Sequence, residues 1–157
     1  MATGDYNPPA MIFSLVLDTN VVLDLFHFAD PMALPILKAL ETGKIVCWSD
    51  EATLAELERV LTYPELNLSN ETAAMLLERY QKLTRLVEVG NAPPLPRCKD
   101  PDDQMFLELA ARAKTSLLIS KDKALLALAG KPGLPFQIMA PKNAVATIYA
   151  ALRSNEP

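Results

Sequence analysis

The chain has 157 residues, half of them hydrophobic and 22% charged, with a formal net charge of −4. That is enough for one domain with a real core, and it excludes bulk disorder. The acidic balance argues against a general nucleic-acid coat protein, which would carry a basic surface.

The longest apolar stretches are broken by Asp18 and Asp24, well short of the roughly twenty residues of a membrane span. Residues 1–10 contain Asp5, Asn7, Pro8 and Pro9 and are expected to form a loose tail, not a signal peptide. Residues 11–157 are then one domain, and the cytoplasm is the expected location. Cys47 and Cys98 are too few for a disulfide framework and are read as reduced thiols.

Residues 12–17 are a short apolar run that stops at Asp18-Thr19-Asn20, the pattern of a buried strand bounded by turn formers. Residues 21–28 read as a helix, and Pro31 opens a second one that Gly43 ends. Residues 44–48 are a second strand. Ser49 is expected to cap the next helix, with Asp50 and Glu51 in its first turn, where the helix dipole favours negative charge. That helix runs to about Leu61 on a stripe of Leu54, Leu57, Val60 and Leu61. Ser69 caps a helix over residues 71–83, whose Ala73, Leu76, Leu77 and Tyr80 recur at helical spacing. Residues 86–89 are a third short strand, and residues 91–99 a proline-rich loop. Asp100-Pro101-Asp102-Asp103 opens a helix to Lys114. Residues 116–120 are a fourth strand, 122–129 a short helix ended by Gly130, and 136–139 a fifth strand; Pro141 starts the last helix. Strands alternating with helices predict an α/β fold of three layers. A central, mostly parallel sheet of about five strands lies between helices, with right-handed crossovers.

In an open parallel sheet, ligands collect outside the carboxyl ends of the strands. Asp18 stands at such an end. Asp122 follows the fourth strand by a few residues. Asp103 is followed by Phe106, Leu107 and Ala110 at i+3, i+4 and i+7, so it heads the buried face of its helix, where an unpartnered carboxylate is costly. Glu56 and Glu58 fall at opposite edges of the apolar stripe of their helix on a wheel of about 100° per residue. Periodicity does not choose between them.

Each acid also has an ordinary structural reading. Asp18 is a turn former, Asp100 a cap before proline, Asp103 and Asp122 first-turn acids, and Glu56 a solvated helix residue. Brought together, however, carboxylates repel by roughly 4 kcal/mol per pair at about 4 Å and an effective dielectric near 20. A cation among them, or a proton on one, relieves this. Oxygen-only ligation without His or Cys suits Mg²⁺ or Mn²⁺, ions that serve phosphate chemistry.

Four stretches, in order, resemble the PIN-domain (PilT N-terminus-like) family of VapC-type toxins and related bacterial proteins. They are Leu-Val-Leu-Asp18-Thr-Asn20-Val-Val, Leu-Ala-Glu56-Leu-Glu-Arg-Val-Leu, Asp100-Pro-Asp-Asp103-Gln-Met-Phe-Leu and Leu-Leu-Ile-Ser120-Lys-Asp122-Lys-Ala-Leu-Leu. The resemblance spans about residues 11–140. It implies a metal-dependent ribonuclease with Asp18, Glu56, Asp103 and Asp122 as the acidic quartet around Mg²⁺ or Mn²⁺. It is the family pattern Leu-x-Glu-Leu that selects Glu56. Asn20 and Ser120 match polar positions that hold the carboxylates by hydrogen bonds, with Asp100 in a supporting place.

The implied substrate is single-stranded or structured RNA, and the implied partners are a small antitoxin protein and a second copy of the chain. Lys121 and Lys123 are candidate phosphate contacts, and no membrane partner is expected. The 15 basic residues face 19 acidic ones; setting the quartet aside leaves 15 against 15, so steering of RNA would be local and modest. His27, the one histidine, is read as structural or exposed, and Trp48 and Tyr63 as packing residues. Two other classes compete. One is a PIN-fold binding module for nucleic acid or protein with little catalysis, which the intact quartet disfavours. The other is a phosphoacceptor domain, disfavoured because such a domain places paired acids after its first strand, where this chain has Asp18-Thr19-Asn20.

Overall fold

The computed structural model describes residues 12–88 and 90–154; the expected N-terminal tail lies outside them. The described residues form five strands, β1 (Ser14–Leu17), β2 (Val46–Ser49), β3 (Arg85–Leu86), β4 (Leu117–Ile119) and β5 (Gln137–Met139). The helices are α1 (Thr19–Phe26), α2 (Leu34–Glu41), α3 (Glu51–Val60), α4 (Asn70–Leu83), α5 (Gln104–Arg112), α6 (Lys123–Leu126) and α7 (Pro141–Ser154). One sheet runs in the order β3-β2-β1-β4-β5, and every pairing is parallel.

The sheet is covered on both faces, which is why its strands are continuous apolar runs. Alternation within each strand sorts the core in two. Leu15, Leu17, Cys47, Leu117 and Ile119 pack beneath α1, α2, α3, α4 and α7. Val16, Leu118 and Ile138 point the other way, against Phe106, Leu107 and Ala110 of α5 and Leu125 of α6. The result is the three-layer α/β/α arrangement expected from the alternating pattern. Cys47 and Cys98 are both free and buried, and burial pushes the Cys47 thiol up to about 12.

Several boundaries differ from the sequence reading, each for a local reason. Asp50, not Ser49, caps α3: its carboxylate accepts from Thr53 N at 2.8 Å while Thr53 Oγ1 accepts from Asp50 N at 3.2 Å, a reciprocal capping box. Ser49 instead ends β2, its hydroxyl bonded to that of Thr84 at 2.9 Å. Helix α2 begins at Leu34 with Pro35 in its first turn, not at Pro31. Strand β3 pairs only through Arg85 and Leu86; Val89 lies outside the described residues. The helix expected from Asp100 starts with a 3₁₀ turn, Pro101–Asp103, that Asp100 caps by accepting from Asp102 N at 3.0 Å.

The strand order positions the site. The chain moves outward from β1 to β2 to β3, then returns to lay β4 on the other side of β1. At that reversal the connections leaving β1 and β4 diverge, opening a crevice at their carboxyl ends. Asp18 and Ser120 are the first residues beyond those two strands.

Candidate active site

Asp18 leaves β1 with its backbone N–H still donating to Ile119 O at 3.1 Å. Its carboxylate caps α1, accepting from Val21 N at 3.1 Å. Register does the rest. Leu17 pairs with Ile119, so the next residues, Asp18 and Ser120, stand side by side. The fully buried Ser120 hydroxyl donates to the second oxygen of Asp18 and accepts from Asp122 N at 2.9 Å. One serine thereby holds two acids. Asp122 caps α6, accepting from Ala124 N at 2.7 Å and Leu125 N at 3.4 Å.

Asp103 sits at the junction of the 3₁₀ turn and α5, with helical backbone angles and no capping bond from its side chain. Phe106, Leu107 and Ala110 below it are buried, as the spacing requires. Its Oδ2 is buried without a hydrogen-bond partner. Carboxylate oxygens of Asp100, Asp103 and Asp122 lie within 4.8 Å of one another. Asp100 is therefore both a cap before proline and a member of the cluster.

The four acids come from four separate connections and line one cleft of about 360 Å³. The structure separates Glu56 from Glu58 on α3. Glu56 lines this cleft, whereas Glu58 lines a different groove with Asn70 and Leu77 of α4. Glu56 is paired with Arg59 one turn along its own helix. Asn20 lines the cleft but, among the described residues, makes no side-chain hydrogen bond to a carboxylate, unlike Ser120.

Lys121 is not a free cation: its Nζ lies 2.7 Å from the buried carboxylate of Asp24 on α1. Lys123 is exposed and makes no ion pair among the described residues. Asp24 was missed in the sequence, where it passed as an interruption of an apolar run. Its signal was present, because an acid flanked by Leu23 and Leu25 in a helix buried nearly all round needs a cation. Tyr63, read as a packing residue, is 40% exposed and lines the cleft, as does Phe28.

Burial raises the pKa of Asp18, against the opposing hydrogen bonds from Ser120 and Val21 N. Asp103 is pushed up to about 7, first by burial and then by the neighbouring charges of Asp122, Asp100 and Asp18. The protein free of metal should therefore lose stability as pH rises. The unfolded chain gives up the Asp103 proton near 3.8 while the folded chain keeps it to about 7, so unfolding becomes more favourable across that interval and levels off above it. Thermal melts in a chelator between pH 5 and 8 should show this slope, and Asp103→Asn should flatten it. An equal slope in the variant would assign the titration to another group.

The donors fit a hard divalent cation. They are all oxygens, one is buried and unpartnered, and the charge they share is unfavourable without a counter-ion.

The PIN domain family model matches residues 14–124, an interval containing all four acids. The crystal structure of PAE2754 from Pyrobaculum aerophilum superposes with a TM-score of 0.56 over 93% of this chain and 96% of that one. The two are 16% identical, so the likeness is one of fold. No curated protein sequence matches the chain.

Proposed function

The chain belongs to the PIN-domain family, whose members are generally nucleases, and from that premise we propose that it is a metal-dependent endoribonuclease acting on RNA phosphodiester bonds in the cytoplasm. One observation carries the reading: Asp18, Glu56, Asp103 and Asp122 arrive by four different connections in one cleft at the switch point of the sheet. Mg²⁺ or Mn²⁺, held by Asp103, Asp122 and Asp18 with Asp100 alongside, would supply an activated water and neutralise phosphate charge.

The protein's own groups do the positioning. Ser120 locks Asp18 and the backbone of Asp122, and the α1 and α6 amides fix the two carboxylates. Burial and the neighbouring carboxylates raise the Asp103 pKa to about 7, so a bound cation competes with its proton below that pH. Glu56 caps no helix and is tied only to the exposed Arg59, which suits it to orienting the attacking water and taking its proton.

The resemblance to VapC-type toxins extends the proposal to a toxin with a cognate antitoxin, working as a homodimer. The competing binding module keeps the fold without hydrolysis. Cleavage of a labelled single-stranded RNA in Mn²⁺ and in chelator separates the two. Glu56→Gln should lower the metal-dependent rate roughly 10²- to 10⁴-fold, whereas Glu58→Gln, on the far groove, should leave it within about two-fold of wild type. Equal losses in both variants would overturn the choice of Glu56. No cleavage by the wild type in any divalent metal would favour the binding module. No helix among the described residues is long and apolar enough to cross a membrane.

A further inference from the structure

The cleft lining is not only acidic. Beside the carboxylates it includes Leu23, Val60, Leu66 and two aromatic residues, Phe28 and Tyr63, that are 58% and 40% exposed. Neither ring hangs from a loose segment. Phe28 N donates to Leu23 O at 2.9 Å, Ala29 turns the chain with a φ of +50°, and the His27 ring meets the Phe28 ring edge-on at 4.6 Å. Tyr63 N donates to Val60 O at 3.0 Å, and Pro64 after it holds Tyr63 in an extended conformation.

The basic side chains beside the cleft are largely committed. Lys121 is paired with Asp24 and Arg59 with Glu56, while Glu65 adds a further acid to the lining. Phosphate contacts, the usual source of RNA affinity, are therefore few here. Exposed rings offer attraction that does not depend on charge, because every nucleobase has a face on which an aromatic ring can stack.

We propose that Phe28 and Tyr63 form a stacking site for an unpaired nucleobase next to the phosphodiester that faces the carboxylates. The protein would then select single-stranded RNA over duplex through base accessibility, with little reading of base identity. This rests on the RNA-cleaving reading of the same cleft, but binding tests it separately. A base inside a duplex presents no free face to the rings, whereas a single strand does.

The experiment measures binding of a fluorescein-labelled oligoribonucleotide by anisotropy in Ca²⁺, together with cleavage of the same strand in Mn²⁺. Tyr63→Leu and Phe28→Leu keep apolar bulk and remove the ring; each should weaken binding roughly 5- to 100-fold, and Tyr63→Phe should restore it. Wild-type affinity should fall by a similar factor for a strand carrying a single abasic position beside the cleavage site. Tyr63→Leu should add little to that loss, because both changes remove one contact. The salt dependence of wild-type binding should be shallow.

Unchanged affinity in both Leu variants overturns the proposal and leaves a peptide as the other occupant for these rings. A duplex bound as tightly as the single strand overturns it too. Absence of cleavage with ring-dependent binding intact counts against the nuclease reading alone.

Discussion

Asp18→Asn is expected to lower metal-dependent RNA cleavage by roughly 10²- to 10³-fold, the scale seen when a group that stabilises developing charge is removed, while the folded protein becomes no less stable. Asparagine has the same shape. Its carbonyl oxygen can still accept from Val21 N, and its amide can donate to the Ser120 hydroxyl that now donates to the carboxylate. What disappears is an ionised group in a buried position, whose burial already raises its pKa. In chelator the variant should melt at or above the wild-type temperature. Addition of Mn²⁺ should raise the melting temperature of the wild type and leave that of Asp18→Asn nearly unmoved, since a ligand stabilises only the state that binds it. Equal shifts would mean that the metal binds elsewhere. The same pair tests toxicity: induced wild type should arrest growth and the variant should not.

Arg112→Ala is expected to cost about 3–5 kcal/mol of folding stability, the range for stripping one partner from a buried ion pair. Arg112, on the last turn of α5, donates to Asp50, and both side chains are largely buried. Asp50 also caps α3, so this contact ties α5 to the start of α3 at the end of β2. Removal of the guanidinium leaves Asp50 charged and enclosed, with Thr53 as its remaining partner. Arg112→Lys should recover only part of the loss, because an ammonium cannot reproduce the guanidinium fork. Pairing Asp50→Asn with Arg112→Met should recover most of it, since the cap survives and the stranded charge does not. Urea denaturation of the four proteins measures this. A single-variant loss below about 1 kcal/mol would make the pair an ordinary surface contact.

Much of the fold could be read from the chain because its signals are local. Apolar runs ending in turn formers marked the strands, and Ser69, Gly43 and Pro141 marked helix ends close to where they occur. The α/β alternation then left few layer arrangements to choose from. Strand order could not be read in this way. It depends on which side of β1 the returning chain lays β4, and no residue near either strand states that.

The site divides along the same line. Asp18 and Asp122 were visible as acids at the ends of strands, and Asp103 as an acid heading a buried stripe. Glu56 and Glu58 were indistinguishable by periodicity, because the face of α3 that meets the cleft is set by how α3 leans against α1 and α5. The partnership of Asp24 with Lys121 joins residues far apart in sequence. The apolar setting of Asp24 announced that a cation was needed, though not which one. Tyr63 lines the cleft, and an aromatic residue beside a proline looks the same in sequence whether its ring faces the core or a cleft.

Asp18, Asp50 and Asp122 share one more property: each accepts amide hydrogens at the start of a helix. Serine, threonine and asparagine can accept such bonds almost as well. For Asp18 and Asp122 the architecture asks only for an acceptor; on the proposed reading it is metal binding that asks for the anion. If the proposed chemistry holds, a lineage of this fold could then shed hydrolysis by one substitution at either position while keeping the cap. Its descendants would inherit an intact cleft, free to be kept for holding RNA or a protein partner.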